Sequence, residues 1–249
     1  MNTPENQHVT ETVSRASWHP SPPERMLYGI YPIYRAQVGK RDATVMVPAG
    51  KLKGPLLKWV AYHTGAGEDS RVITGEGDTE KPPIIKMLLE NGFLVCTITS
   101  GKEHWGDPSA EEAHEDLYQY VKTVFPVQIK VNILAQSMGG TSAYPWASSH
   151  PGRVCRIYGI YPVTNLESMG NRNPIRNLKP LADHDISIMH RHGTDDKSVP
   201  FEQNARQFEE TYKRLGGNIR IIPVAGVGHQ VHPLMFIPEE VSNFFMGRL

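Results

Sequence analysis

Three short stretches hold residues whose types and order could activate a hydroxyl group. The first is Val131 to Gly140, read Val-Asn-Ile-Leu-Ala-Gln-Ser-Met-Gly-Gly. An apolar, strand-like run stops at Ser137 and turns through Met138, Gly139 and Gly140. A turn of this kind lifts one hydroxyl above a sheet edge and tolerates only small neighbours. The helix that follows directs its free amide groups, and the positive end of its dipole, back at the same point. A serine hydroxyl alone is a weak nucleophile, so Ser137 needs a base and a group that orients the base. The second stretch, His192-Gly-Thr-Asp-Asp-Lys-Ser-Val-Pro200, offers the carboxylates Asp195 and Asp196. The third, Gly226-Val-Gly-His229, offers an imidazole. The order along the chain is Ser, Asp, His.

Each stretch needs a strand before it, and the pattern supplies one. Tyr31 to Val38 and Arg41 to Pro48 read as an antiparallel pair. Leu56 to Tyr62, Phe93 to Thr99, Val154 to Val163, Ile186 to Arg191 and Asn218 to Val224 are further apolar strands. Runs that are apolar nearly throughout fit a parallel sheet buried on both faces. Helices fall between them: Pro82 to Asn91 with Gly92 as its stop, a helix down to Phe125, one after Ser137, Phe201 to Leu215, and Ile237 to Met246. The helix ending at Phe125 has two possible starts, a Ser109–Glu112 capping box or Asp107 with Pro108. Pro145, a couple of turns beyond Ser137, predicts a kink or a short helix. Asn165 to Pro180, rich in Asn, Gly and Pro, reads as a loop near the site. Strands alternating with helices from about residue 56 predict a mostly parallel sheet covered on both faces. In such a sheet the chemistry gathers at the carboxyl ends of the strands, where all three stretches fall.

The 249 residues suit one α/β domain, read as 26–249, with 1–25 as a flexible polar arm. Hydrophobic residues are 39% and charged residues 21%, and the formal net charge is +0, so neither nucleic acid nor an acidic membrane surface is implied as a partner. No apolar run approaches a membrane span, and the first residues lack an apolar signal core. The two cysteines, Cys96 and Cys155, lie in apolar runs and read as buried free thiols. With the absent signal, this points to the cytoplasm. His190 with His192, and His229 with His232, could ligate a metal, but no carboxylate or cysteine accompanies them at ligand spacing. No metal and no cofactor are expected.

The motifs Ala-Gln-Ser-Met-Gly-Gly, His-Gly-Thr-Asp-Asp-Lys-Ser-Val-Pro and Gly-Val-Gly-His, each after an expected strand, resemble those of the α/β-hydrolase superfamily. The likeness is greatest to the dienelactone-hydrolase and prolyl-oligopeptidase-like esterases, which include bacterial carbohydrate esterases, and it spans residues 56 to 249. It implies an α/β-hydrolase fold and a serine esterase. Ser137 would be the nucleophile, His229 the base, and Asp196 the acid, with Asp195 its close rival. The oxyanion hole would use the backbone N–H of Met138 and one from Thr64 to Gly67. Aligning Thr64-Gly65 with the family's His-Gly selects Ala66; aligning His63 instead selects Gly65 or a neighbour. Ala135 stands where the family pattern has Gly. Trp105, Tyr144, Trp146 and Tyr161, near strand ends or the elbow helix, could line an acyl or sugar pocket. The resemblance implies a small-molecule ester as substrate, with acetyl groups on carbohydrate among the candidates. An amidase or peptidase on the same triad, or a non-catalytic binding protein of this fold, are the rival readings.

Overall fold

A computed structural model describes residues 25–27, 30–50, 55–75 and 81–249. Among these, nine strands form one sheet: β1 (Arg25–Leu27), β2 (Tyr31–Val38), β3 (Arg41–Met46), β4 (Lys58–His63), β5 (Phe93–Ile98), β6 (Val131–Gln136), β7 (Val154–Ile160), β8 (Ser187–Gly193) and β9 (Ile219–Val224). The spatial order is β1-β2-β3-β5-β4-β6-β7-β8-β9. The first three strands form an antiparallel meander whose β3 lies antiparallel to β5. From β5 to β9 every neighbouring pair is parallel. The helices are α1 (Lys81–Glu90), α2 (Pro108–Val124), α3 (Gly140–Ser149), α4 (Lys179–Asp183), α5 (Gln207–Arg214) and α6 (Pro238–Met246).

Side chains alternate across the sheet and sort into two apolar layers. Trp59 and Ala61 of β4, Leu94, Cys96 and Ile98 of β5, and Ile133 and Ala135 of β6 pack with α2, α3, α4 and α5. Val60 and Tyr62, Phe93 and Val95, and Leu134 point the other way, to α1 and α6. This is why these strands read as unbroken apolar runs: each face has helices over it.

Several boundaries were open in the sequence or fall elsewhere. β1 lies at the edge of the stretch read as an arm; residues 1–24 are outside the described residues. Leu56 is exposed and precedes β4 rather than opening it. Asp107 caps α2, its carboxylate accepting the Ser109 N–H at 2.8 Å, with Pro108 in the first turn. α3, which carries Pro145, is ten residues long. The helix expected from Phe201 to Leu215 is present, its first turn widened to a π-helix at Glu202–Arg206 that runs straight into α5. Asn204 in that turn is buried and accepts the N–H groups of Thr164 and Asn165, each at 3.0 Å. Residues 165–180 are not an open loop: they fold as helical turns, Glu167–Arg172 and Pro174–Arg176, leading into α4. Cys96 is buried, but Cys155 is only half-buried. The β6–β7 register shifts between Val131–Val154 and Ile133–Ile157, and the extra residue there takes Cys155 out of the regular alternation. No helix among the described residues is long and apolar enough to cross a membrane.

Candidate active site

β6 ends at Gln136, and Ser137 takes φ 47, a left-handed value rarely held by a non-glycine residue. A turn at Ser137–Gly139 then leads directly into α3. Gly139 and Gly140 have ordinary helical angles, so space rather than conformational freedom requires them. A Cβ on Gly139 would lie 2.2 Å from the carbonyl oxygen of His63, and one on Gly140 2.4 Å from that of Val163. The end of β4 and the segment that follows β7 therefore press on the elbow. The Val163 N–H also donates to the Ser137 carbonyl at 2.8 Å.

The Ser137 Oγ lies 2.8 Å from Nε2 of His229, and Nδ1 of His229 lies 2.7 Å from Oδ2 of Asp196. With Nδ1–H donating to the carboxylate, the Nε2 lone pair faces the serine hydroxyl. Asp196 is buried, and its other oxygen accepts the N–H groups of Ser198 at 3.0 Å and Val199 at 2.7 Å. Burial favours its neutral form, but hydrogen bonds from His192, His229 and the Val199 N–H outweigh it and hold the carboxyl well below the usual range. Asp195 is exposed and accepts only the Thr194 hydroxyl in the same turn. The structure thus brings Asp196, not its neighbour, to His229. The two loops are packed backbone to backbone: Asp195 N–H donates to Val227 O at 3.1 Å, and a Cβ on Gly193 would lie 2.1 Å from that oxygen.

Met138 lies in the first turn after the strand, where a backbone N–H has no partner further back in the helix. In the loop after β4, the Gly65 N–H donates to the Glu68 carboxylate at 2.8 Å and the Gly67 N–H to Lys102 O at 2.8 Å. Ala66 lies between these two engaged groups and is exposed. Gly65, the alternative donor, has its N–H committed to Glu68.

No protein-family model matches the chain, and no curated protein matches it in sequence. Solved structures do match in shape. Est1E from Butyrivibrio proteoclasticus, 15% identical, aligns with a TM-score of 0.66 over 87% of this chain and 98% of its own. An S-formylglutathione hydrolase from Agrobacterium tumefaciens, also 15% identical, aligns with a TM-score of 0.71 over 93% of this chain and 100% of its own. The acylaminoacyl peptidase of Pyrococcus horikoshii, 11% identical, gives 0.66 over 87% of this chain but only 40% of its own. The chain has the α/β-hydrolase fold.

Within that hydrolase fold the four aromatic candidates separate. Tyr161, after β7, has φ 37 and sets its ring 4.6 Å from that of His229. Its hydroxyl accepts from Nε2 of Gln136 at 3.2 Å, and Gln136 in turn accepts from the Tyr62 hydroxyl. The sequence reading passed over Gln136 and Tyr62; the signal was a buried-strand position filled by an amide just before Ser137. Trp105 stands on the loop after β5, 45% exposed, with φ 38 and its indole N–H on Glu103 at 2.6 Å. Trp146 packs into the core between the sheet and α2. It is buried against Tyr118 and His150 with its N–H on Glu115 at 3.1 Å. Tyr144 is likewise core, between His190 and Phe208, its hydroxyl bonded to His190. Both lie on α3, whose side chains turn by about 100° per residue, so nearness to Ser137 in sequence does not put them at its mouth. His192 is buried beneath the acid loop, Nε2 2.8 Å from Val199 O and 3.5 Å from Asp196.

Proposed function

We propose that this chain is a serine hydrolase that cleaves a carboxylic ester through an acyl-enzyme. The observation that carries the proposal is the continuous pair of hydrogen bonds from Ser137 to His229 to Asp196. Ser137 Oγ attacks the ester carbonyl while His229 Nε2 takes its proton. Asp196 holds the productive tautomer and stabilises the imidazolium. The carbonyl oxygen, now negative, is received by the N–H groups of Met138 and Ala66. Collapse of the tetrahedral intermediate breaks the bond to the alcohol, which leaves with the proton from His229. Water, deprotonated by His229, then attacks the acyl-Ser137 ester and releases the carboxylic acid. The fold neighbours named as Est1E, ferulic acid esterase and S-formylglutathione hydrolase support ester hydrolysis as the reaction class. Small acyl esters, acetyl groups on carbohydrate among them, are the substrates proposed.

The test is labelling with a fluorophosphonate probe, wild type beside Ser137→Ala, with p-nitrophenyl esters from acetate to octanoate and a matched anilide. The expected outcome is labelling lost in the variant and ester turnover far above anilide turnover. A folded wild type that neither labels nor turns over any ester would sink the proposal.

A further inference from the structure

His63 closes β4 beside the elbow strand, where it pairs with Ala135, two residues before Ser137. Strand alternation sends its side chain to the same face as Trp59 and Ala61, toward α2 and α3. There its Nδ1 lies 3.0 Å from Oγ of Ser142, with both residues buried. The Ser142 hydroxyl donates to the carbonyl of Gly139 at 3.2 Å. Its proton is thereby committed, so it accepts from His63, which carries its proton on Nδ1. The main-chain carbonyl of the same His63 packs against Gly139 so closely that a Cβ there would lie 2.2 Å from its oxygen. The end of β4 and the start of α3 are thus joined twice, once by close backbone contact and once by a His63–Ser142–Gly139 chain.

A second imidazole fixes the plane of the first. The ring of His114, from α2, stacks on His63 with centroids 3.4 Å apart and planes 16° from parallel. Both ring nitrogens of His114 are buried without a hydrogen-bond partner, and so is Nε2 of His104 nearby. Unpartnered buried polar atoms are costly and need a reason. Among the described residues no three His, Cys, Asp or Glu side chains are placed to hold a metal ion. The stack sets the plane of the His63 ring, and in that plane Nδ1 faces Ser142. Burial, then the neighbouring His104, pushes the His63 pKa down to about 3, and burial with the nearby His63, His104 and Arg41 keeps His114 well below the ordinary range. Both rings stay neutral wherever an esterase would work.

Three residues past His63 comes Ala66, and one residue past Ser137 comes Met138, the two N–H groups assigned above to the oxyanion. We propose that His63 is a positioning residue: donating to Ser142 and held flat by His114, it sets the spacing of the Ala66 and Met138 N–H groups and so the stabilisation of the tetrahedral intermediate. This rests on the esterase reading. Donors preorganised for an oxyanion lose effect steeply when displaced, while substrate binding in the ground state feels little of it.

The experiment measures kcat, KM and inhibition by phenylboronic acid, which forms a tetrahedral adduct on the serine, for Ser142→Ala, His63→Gln and His63→Asn, with folding checked by circular dichroism. Ser142→Ala removes one oxygen from a helix and keeps a good helix former. Ser142→Ala and His63→Gln are expected to lose about tenfold or more in kcat and in boronate affinity, with KM changed by less than about threefold. Asparagine places its amide nitrogen near the position of Nδ1, glutamine near that of Nε2, so His63→Asn is expected to recover most of the kcat lost in His63→Gln. Wild-type kcat in Ser142→Ala, or a folded His63→Asn no better than His63→Gln, overturns the proposal. A wild type that fails to label with fluorophosphonate overturns the esterase reading instead, so the two failures are separable.

Discussion

Replacing Asp196 with asparagine changes one atom and should disable the site through its proton arrangement. In the structure Oδ1 of Asp196 receives two backbone N–H groups, from Ser198 and Val199, and Oδ2 receives Nδ1–H of His229. An asparagine amide has one oxygen and one NH2. Its oxygen must remain toward the two backbone donors, because turning NH2 toward them would forfeit both bonds and set hydrogens against hydrogens. Each bond is worth about 1 kcal/mol net, and a buried donor left unpaired costs a further ~1–3 kcal/mol. The NH2 therefore faces His229, whose Nδ1 must become an acceptor, and the ring proton moves to Nε2. Nε2 then has no lone pair for the Ser137 hydroxyl. Restoring the productive tautomer against two bonds and one buried unpaired donor, the Val199 N–H, costs about 3–5 kcal/mol, a loss of about 10²–10⁴ in kcat. Turnover of p-nitrophenyl acetate by the purified variant measures this, with Asp195→Asn as the control. The Asp195 side chain is exposed and bonded only to Thr194, and its backbone bond to Val227 does not depend on the carboxylate, so its variant should stay within about twofold of wild type. Asp196→Asn with a tenth or more of wild-type kcat, or Asp195→Asn falling as far, would refute the assignment.

Two further outcomes follow from the packing and the buried imidazoles. Gly139→Ala places a methyl group 2.2 Å from a backbone oxygen of β4 and should destabilise the protein by about 1–3 kcal/mol in urea unfolding, whereas Gly152→Ala, with open space around it, should change stability by less than about 0.5 kcal/mol; equal midpoints would contradict the tight approach at the elbow. Burial holds His63 and His190 at a pKa of about 3, and His114 well below the ordinary value, so between pH 6.5 and 3 the unfolded chain binds protons that the folded chain does not. Stability should therefore fall as pH drops below about 6.5, each histidine contributing up to ~1.4 kcal/mol per pH unit, and Asp196, depressed in the fold, adds to the loss in the carboxylate range. Urea midpoints that stay level from pH 7 to pH 5 would count against neutral burial of these rings.

The local features of this protein were legible because their causes are local. Near-continuous apolar runs mark β4, β5 and β6, turn chemistry marks Ser137-Met138-Gly139-Gly140, and the start of α2 narrows to two neighbouring caps, Asp107 and Ser109. The order Ser137, Asp196, His229 could be read because each residue directly follows or closes a strand-and-turn unit visible in the sequence. Other features needed the tertiary structure. The choice between Asp195 and Asp196 depends on which side of one turn faces His229, and backbone donors across the turn decide it. Whether Gly65 or Ala66 has an available N–H depends on where the Glu68 carboxylate lands. Trp146 and Tyr161 are both aromatic and both follow the elbow in sequence, yet helix rotation packs one into the core and a left-handed turn sets the other against His229. Ser137 and His229 are 92 residues apart, and His63 and Ser142 are 79 apart. Periodicity and turn signals reach only across a few residues, whereas these pairs meet because parallel strands distant in the chain end at one edge of the same sheet. The sequence alone determined which chemical groups were available; the sheet order and the packing of its terminal loops decided which of them touch.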